Sequence, residues 1–380
     1  MRICWTLVMG LALCAAPAGA AERAAIRPAV GAGSFYPAQP GALYEKLQAL
    51  YAGVETNPAE GRLVGIIAPV SGYKYSGKVA AAAFKELKEG QYERVILLVG
   101  SHYATFEGCS IAGVDAYSTP LGIVPLDREI VGRLSYSPLI SIRSLRFGQV
   151  RGRVQLHERE HAIEVLLPFL QERLRFFRIV PIVVGRLNDA KGAPNEQAVE
   201  AVARTIGDVV DEDTLIVVGT DFTHFGNDFS YRPFRENIPE SIERLDRRAF
   251  AHIVKHDYDG FMKYLDSTEN TICGKEALRL FLKLVPRRTM GLVNAYQQSG
   301  QITGNENRSV SYAALHFYDP VRPPAPSRSV NSRLVFIKPG ETPANDAEPV
   351  VSGADAPPED EGAEQPPEKA DEPTVLEATP

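Results

Sequence analysis

The chain has 380 residues, 44% of them hydrophobic and 23% charged, a balance that suits a globular protein and excludes fibrous, collagen-like and wholly disordered chains. Its formal charge of −6 is unevenly spread: residues 341–380 hold 12 acidic side chains against one lysine, which leaves residues 1–340 at +5. A near-neutral body without a Lys/Arg run lacks the electrostatic footprint of a nucleic-acid binder.

Residues 1–20 read as a signal peptide, with Arg2, an apolar run from Cys4 to Ala16, and the small residues Ala18-Gly19-Ala20 before the cleavage point. The run is shorter than the ~20 apolar residues that span a bilayer, and the bulky Leu13 before Cys14 argues against lipid attachment there. The mature chain is therefore expected to be periplasmic or secreted, without a transmembrane anchor. Export leaves Cys109 and Cys273 in an oxidising compartment, and their separation decides between one disulfide and two free thiols.

Four β-branched runs follow: Arg62 to Ala68, Arg94 to Val99, Arg178 to Val184 and Thr214 to Val218. Their continuous apolar character predicts strands of a parallel sheet buried on both faces, and Pro181 predicts an edge position or a bulge for the third. Helical periodicity appears at Lys78–Lys88, His161–Leu174, Glu196–Val210, Pro239–Val254, Gly260–Leu265 and Lys275–Val285. Closing strands are predicted near Gly291–Tyr296 and Val310–Phe317. The pattern gives one α/β domain over residues 26–318, a Pro-rich linker over 319–340, and an acidic tail over 341–380. That tail, with eight prolines and no aromatic residue, is expected to be disordered, and nothing in it names a partner.

In open α/β sheets, ligands bind beyond the carboxyl ends of the strands, and this chain places Ser71, Tyr73, His102, Asp221 and His224 just after such ends. His102 there suits a metal ligand or a general base. The three-residue spacing of Asp221 and His224 suits a carboxylate that orients a proton-transferring imidazole. Cys273 precedes a predicted helix, a setting that favours a thiolate, whereas Cys109 reads as packing. His157-Glu158-Arg159-Glu160-His161 matches the H-E-x-x-H string of zinc peptidases, although the apolar stripe begins only after His161 and no third ligand follows. Neither a phosphate-loop spacing nor a G-x-S-x-G elbow accompanies these residues.

Read in order, Gly33-Ser34-Phe35-Tyr36-Pro37, Ala68-Pro69, Gly72-Tyr73, Tyr75-Ser76-Gly77, Ser101-His102, Tyr117, Thr119-Pro120-Leu121-Gly122, Glu160-His161, Glu164, Leu167-Pro168, Asp221-Phe222, His224, Thr271-Ile272-Cys273-Gly274 and Ser309-Val310-Ser311-Tyr312-Ala313-Ala314 resemble the Memo family, whose bacterial members are called AmmeMemoRadiSam system protein B. The resemblance implies a fold similar to class III extradiol dioxygenases and a rim pocket that binds iron or copper. It implies His102 and Cys273 as metal ligands, Asp221 and His224 as pocket residues, and His161 with Glu164 as a further matching segment. The family's first metal histidine falls on Val70, which has no donor atom, and the next position is Ser71. Three readings follow: a rim pocket for a small molecule or peptide, a metal-dependent oxidoreductase at the same residues, and a zinc peptidase through His157 and His161.

Overall fold

Successive side chains of a strand point to opposite faces, so an unbroken apolar strand needs a core on each side of its sheet. In the computed structural model, which describes residues 24–56, 58–147, 152–188, 192 and 194–327, that is where the four runs lie. Val95, Leu97 and Val99 pack with Ile66, Val183 and Val217, whereas Ile96 and Leu98 pack on the opposite face with Ile67, Ile182 and Val218. Each buried aliphatic side chain of this kind contributes about 1.5–3 kcal/mol. The helices Pro40–Ala52, Tyr73–Phe84 and Ala162–Leu174 cover the first face; Glu196–Gly207, Ile238–Val254, Tyr258–Thr268 and Lys275–Leu284 cover the second.

Across the sheet the parallel strands stand in the order Arg62–Ala68, Thr214–Gly219, Arg94–Gly100, Arg178–Val184. The fourth in sequence is thus inserted between the first two, and their carboxyl ends form one rim. The antiparallel strands Met290–Gln298 and Ser309–Asp319 close the sheet beside Arg62–Ala68. The result is a mixed α/β domain around a mainly parallel sheet.

Three local features differ from the sequence reading. The strand holding Pro181 is neither an edge nor bulged there, because Cys109–Ile111 pairs antiparallel with Ile182–Val184. That short strand stops one residue before Pro181, which has no N–H to offer it. The helix expected from Lys78 begins at Tyr73, whose N–H is taken by the Phe35 carbonyl at 2.8 Å, and ends at Phe84. Finally, Pro40–Ala52 adds a helix that buries only the thin stripe Leu43, Leu47 and Tyr51.

Strands of two to four residues, too short to show a period, fill the stretch after His102. Among them Ala116–Thr119 pairs with Gly122–Pro125 and with Ile26–Arg27, tying the beginning of the domain to its middle. After Asp319 the chain stays at the same end of the sheet, where the Pro323 carbonyl accepts from Arg62 Nε at 3.2 Å. The expected signal peptide, residues 328–340 of the linker and the acidic tail lie outside the described residues.

Candidate functional site

Three neighbouring strand ends build the rim: Ala68 leads to Val70 and Ser71, Gly219 to Thr220 and Asp221, and Gly100 to Ser101 and His102. The turn before the Lys275–Leu284 helix is wedged among them. A Cβ on Gly100 would overlap the Cys273 carbonyl oxygen, and one on Gly274 would lie 2.5 Å from Thr220 Cβ. Two glycines therefore let backbone approach backbone, and that approach carries Cys273 to His102.

His102 is held from behind by a residue 58 positions away. The buried Glu160 carboxylate accepts the His102 backbone N–H at 2.9 Å and faces His102 Nδ1 at 2.9 Å, while the Ala162 N–H adds a third bond at 3.0 Å. A carboxylate only accepts, so Nδ1 carries the hydrogen and Nε2 is turned to the other side. Burial works against charge at both members of the pair. At His102 the Glu160 carboxylate and Cys273 outweigh it and hold the imidazolium well above its ordinary range. Glu160, facing the His102 charge, is held down at about 2.

His161 is the next donor. Its Nδ1 lies 3.0 Å from the Tyr103 hydroxyl, and its ring stacks on Phe35 with centroids 4.2 Å apart. Burial and the neighbouring His102 charge push it down to about 4. Among the described residues, His102, Glu160 and His161 offer donor atoms that all lie within 4.8 Å of one another. Phe35, Tyr103 and His161 make an aromatic wall beside the polar floor.

On the other flank, Asp221 accepts the Val70 N–H at 2.9 Å and the Ser71 hydroxyl, and its own N–H reaches Cys273 Sγ at 3.2 Å. Asp221 does not orient His224. The imidazole turns the other way, its Nδ1 facing the carbonyls of Phe222 at 2.9 Å and Thr271 at 3.1 Å. Carbonyl oxygens only accept, so Nδ1 carries a hydrogen. The physical reason is local: the ring is tied to the Phe222 and Thr271 carbonyls, and the Asp221 carboxylate is taken by the Val70 N–H and the Ser71 hydroxyl.

A family model described as Memo-like protein matches residues 27–316. Protein MEMO1 of Mus musculus is 32% identical over 306 residues, 77% of this chain and 97% of the relative. This chain belongs to the Memo family. The memo-1 homolog of Caenorhabditis elegans is 30% identical over 306 residues, covering 76% of this chain and 81% of that relative. Among solved structures, the uncharacterized protein JW3007 from Escherichia coli K12 matches 67% of this chain and 99% of its own, with 13% identity and a TM-score of 0.43.

Within this Memo-family site, His102, Cys273, Asp221, Ser71 and His161 come together, whereas other expected residues serve the frame. Val70 is buried, its side chain against Gly219, and only its N–H turns to the site. Tyr73 lies in the core, its hydroxyl on the Val165 carbonyl at 2.7 Å and its ring against Tyr36 and Phe169. Glu164 is fully buried and binds Arg27, the Tyr36 hydroxyl and the N–H groups of Val30 and Gly31, so it fastens the amino-terminal segment rather than lining a pocket. Cys109 and Cys273 are both free thiols. No helix among the described residues is long and apolar enough to cross a membrane. Sequence reasoning left Phe35, Tyr103 and, above all, Glu160 out of the site. The adjacency of Glu160 to His161 was the available signal, but nothing in a linear string links it to His102.

The zinc-peptidase reading is overturned. The short helix Leu156–Arg159 ends at Glu160, which is extended, so His157 and His161 do not share one helical turn. Both nitrogens of His157 are taken, Nδ1 by the Tyr117 hydroxyl at 2.8 Å and Nε2 by the Ser110 carbonyl at 2.9 Å, leaving no lone pair for zinc. Burial pushes His157 from 6.5 down to about 4, so it folds neutral. The unfolded chain takes up this proton first as pH falls. The contribution of His157 to stability is therefore present above pH 6.5 and lost progressively toward about 4. Across that window the loss should reach about 3 kcal/mol. Urea unfolding across the same range should show a shallower acid loss in His157→Gln, and equal slopes would sink this account.

Proposed function

We propose that the chain is an exported Memo-family domain whose rim pocket handles a small molecule without the iron or copper centre that the family implies. The observation carrying this reading is the donor set. The family's first ligand position holds Val70, buried in apolar packing, and this leaves His102 and Cys273. Glu160 and His161, whose donor atoms lie within 4.8 Å of that of His102, do not stand at the family's ligand positions. The Glu160 oxygens are taken by His102 and Ala162, and His161 Nδ1 meets the Tyr103 hydroxyl while its ring lies flat on Phe35. Two protein ligands do not match the three or more that catalytic metal sites use, so the residues do not fit a family-type centre. What the pocket offers instead is a polar floor of His102, Cys273, Asp221 and Ser71 beside the aromatic wall of Phe35, Tyr103 and His161, a combination suited to a small ligand with a flat face.

The test is elemental analysis of the protein purified without chelators, beside a His102→Ala, Cys273→Ser double variant. Iron and copper far below one per chain in both proteins are expected. Near-stoichiometric metal that disappears in the double variant would overturn the reading and restore the metal-dependent oxidoreductase.

A further inference from the structure

We infer that residues 333–338 add a strand to the open edge of the central sheet, along Met290–Gln298. Among the described residues this nine-residue strand pairs with Ser309–Asp319 alone, so alternate N–H and C=O groups on its other side meet no strand. It contains no charged residue and no proline, the usual means of keeping such an edge from pairing. It also leaves apolar surface on both faces. Met290 is 42% exposed and Val293 39%, and the register sets them on opposite faces, Met290 beside Tyr318 and Val293 beside Leu315. The register shift at Asn294 does not close the edge. It adds an unmet group, because the buried Asn294 Oδ1 has no hydrogen-bond partner among the described residues. A groove of about 470 Å³ lies there, between Val293 and Asn294 of the strand and Glu243 and Arg247 of the Ile238–Val254 helix.

The occupant stands in the chain beyond the described residues. Arg333-Leu334-Val335-Phe336-Ile337-Lys338 is a β-branched and aromatic run inside the Pro-rich stretch, and its four central residues are all apolar. As a strand it presents apolar side chains to both faces, which matches an edge that exposes Met290 on one and Val293 on the other. The path of the chain fits as well. Met290 and Asp319 lie at one end of the sheet, where Arg62 holds the Pro323 carbonyl. From Arg62–Ala68 to the outer side of Met290–Gln298 is three strand spacings, roughly 15 Å, whereas the chain from Pro323 to Arg333 reaches about 33 Å. The other strands at the borders of this sheet, His224–Phe225 and Ile140–Ser141, are only two residues long. Entering at the Met290 end, the added strand runs parallel to Met290–Gln298 and brings Lys338 to the rim end of the sheet, from which the acidic residues 341–380 depart.

Hydrogen exchange of the full chain, read at the amides of residues 290–298, tests this. Slow exchange along the whole strand is expected. A Val335→Pro, Phe336→Pro double variant removes two consecutive N–H groups, one of which faces the edge, and should speed the outward amides about 100-fold. Ser332→Pro, ahead of the run, should change nothing, and the amides of Arg94–Gly100 in the sheet centre report that each variant is folded. Fast exchange of the outward amides in the unaltered chain, or exchange that the double variant leaves unchanged, would overturn the inference. Protection that appears only as protein concentration rises would also overturn it, by giving the edge to a second copy of the chain.

Discussion

Replacing Glu164 by alanine should cost about 3–5 kcal/mol of folding stability, the largest loss expected from one substitution in this chain. Arg27 and Glu164 have fully buried side chains and form an ion pair. The guanidinium also donates to the His157 and Glu160 carbonyls, and the carboxylate also accepts from Val30, Gly31 and Tyr36. Removing the carboxylate leaves a buried cation uncompensated and strands three further donors in a space that water does not reach. The effect should extend to the site, because the same Arg27 grips the Glu160 backbone whose side chain orients His102. Denaturant unfolding measures the loss, and a change below about 1 kcal/mol would show that the pair contributes little beyond its own desolvation.

Gly100→Ala is expected to be the second most damaging change, and the more specific one for function. The new Cβ would overlap the Cys273 carbonyl oxygen and meet the Gly274 Cα at 3.3 Å, so backbone rather than a pliable side chain must move. Overpacking of this kind costs about 1–3 kcal/mol. Here the strain pushes the Cys273 turn away from His102. Gly132→Ala is the control: its Cβ meets nothing within 4 Å inside the Arg128–Leu134 helix, and it should stabilise by about 0.5–1 kcal/mol. Paired unfolding curves, together with iodoacetamide labelling of Cys273, separate the two cases. Unaltered labelling in Gly100→Ala would mean that the turn tolerates the shift.

Two features of the molecule bear on how its family relatives are read. The Val70 side chain packs on Gly219 and contributes to the core, so an apolar residue here is absorbed into the sheet end rather than left beside a hole. Asp221, which in sequence looks like the partner of His224, instead holds the Val70 N–H, the Ser71 hydroxyl and the Cys273 sulfur. It is the hub joining two strand ends to the Cys273 turn.

The sequence by itself determined the class of fold. Runs such as residues 95–99 of the Arg94–Gly100 strand are apolar at every position, which only a strand covered on both faces satisfies, and stripes such as Ile163, Leu166, Leu167 and Leu170 follow the helical period. These are local signals, legible because each element reports its own burial. The sequence also determined that polar residues gather at the strand ends, and a collinear set of short motifs pointed to the Memo family. Only the tertiary structure decided which of those residues meet. The insertion of Thr214–Gly219 between two earlier strands sets Asp221 between Val70 and His102. Glu160 reaches His102 across 58 residues, and Glu164, four residues farther on, is spent on Arg27. The end of a short helix at Glu160 separates His157 from His161 and dissolves the string that looked most like a catalytic motif. A site is a set of distances between elements, and these distances come from strand order and close glycine contacts that no local pattern encodes.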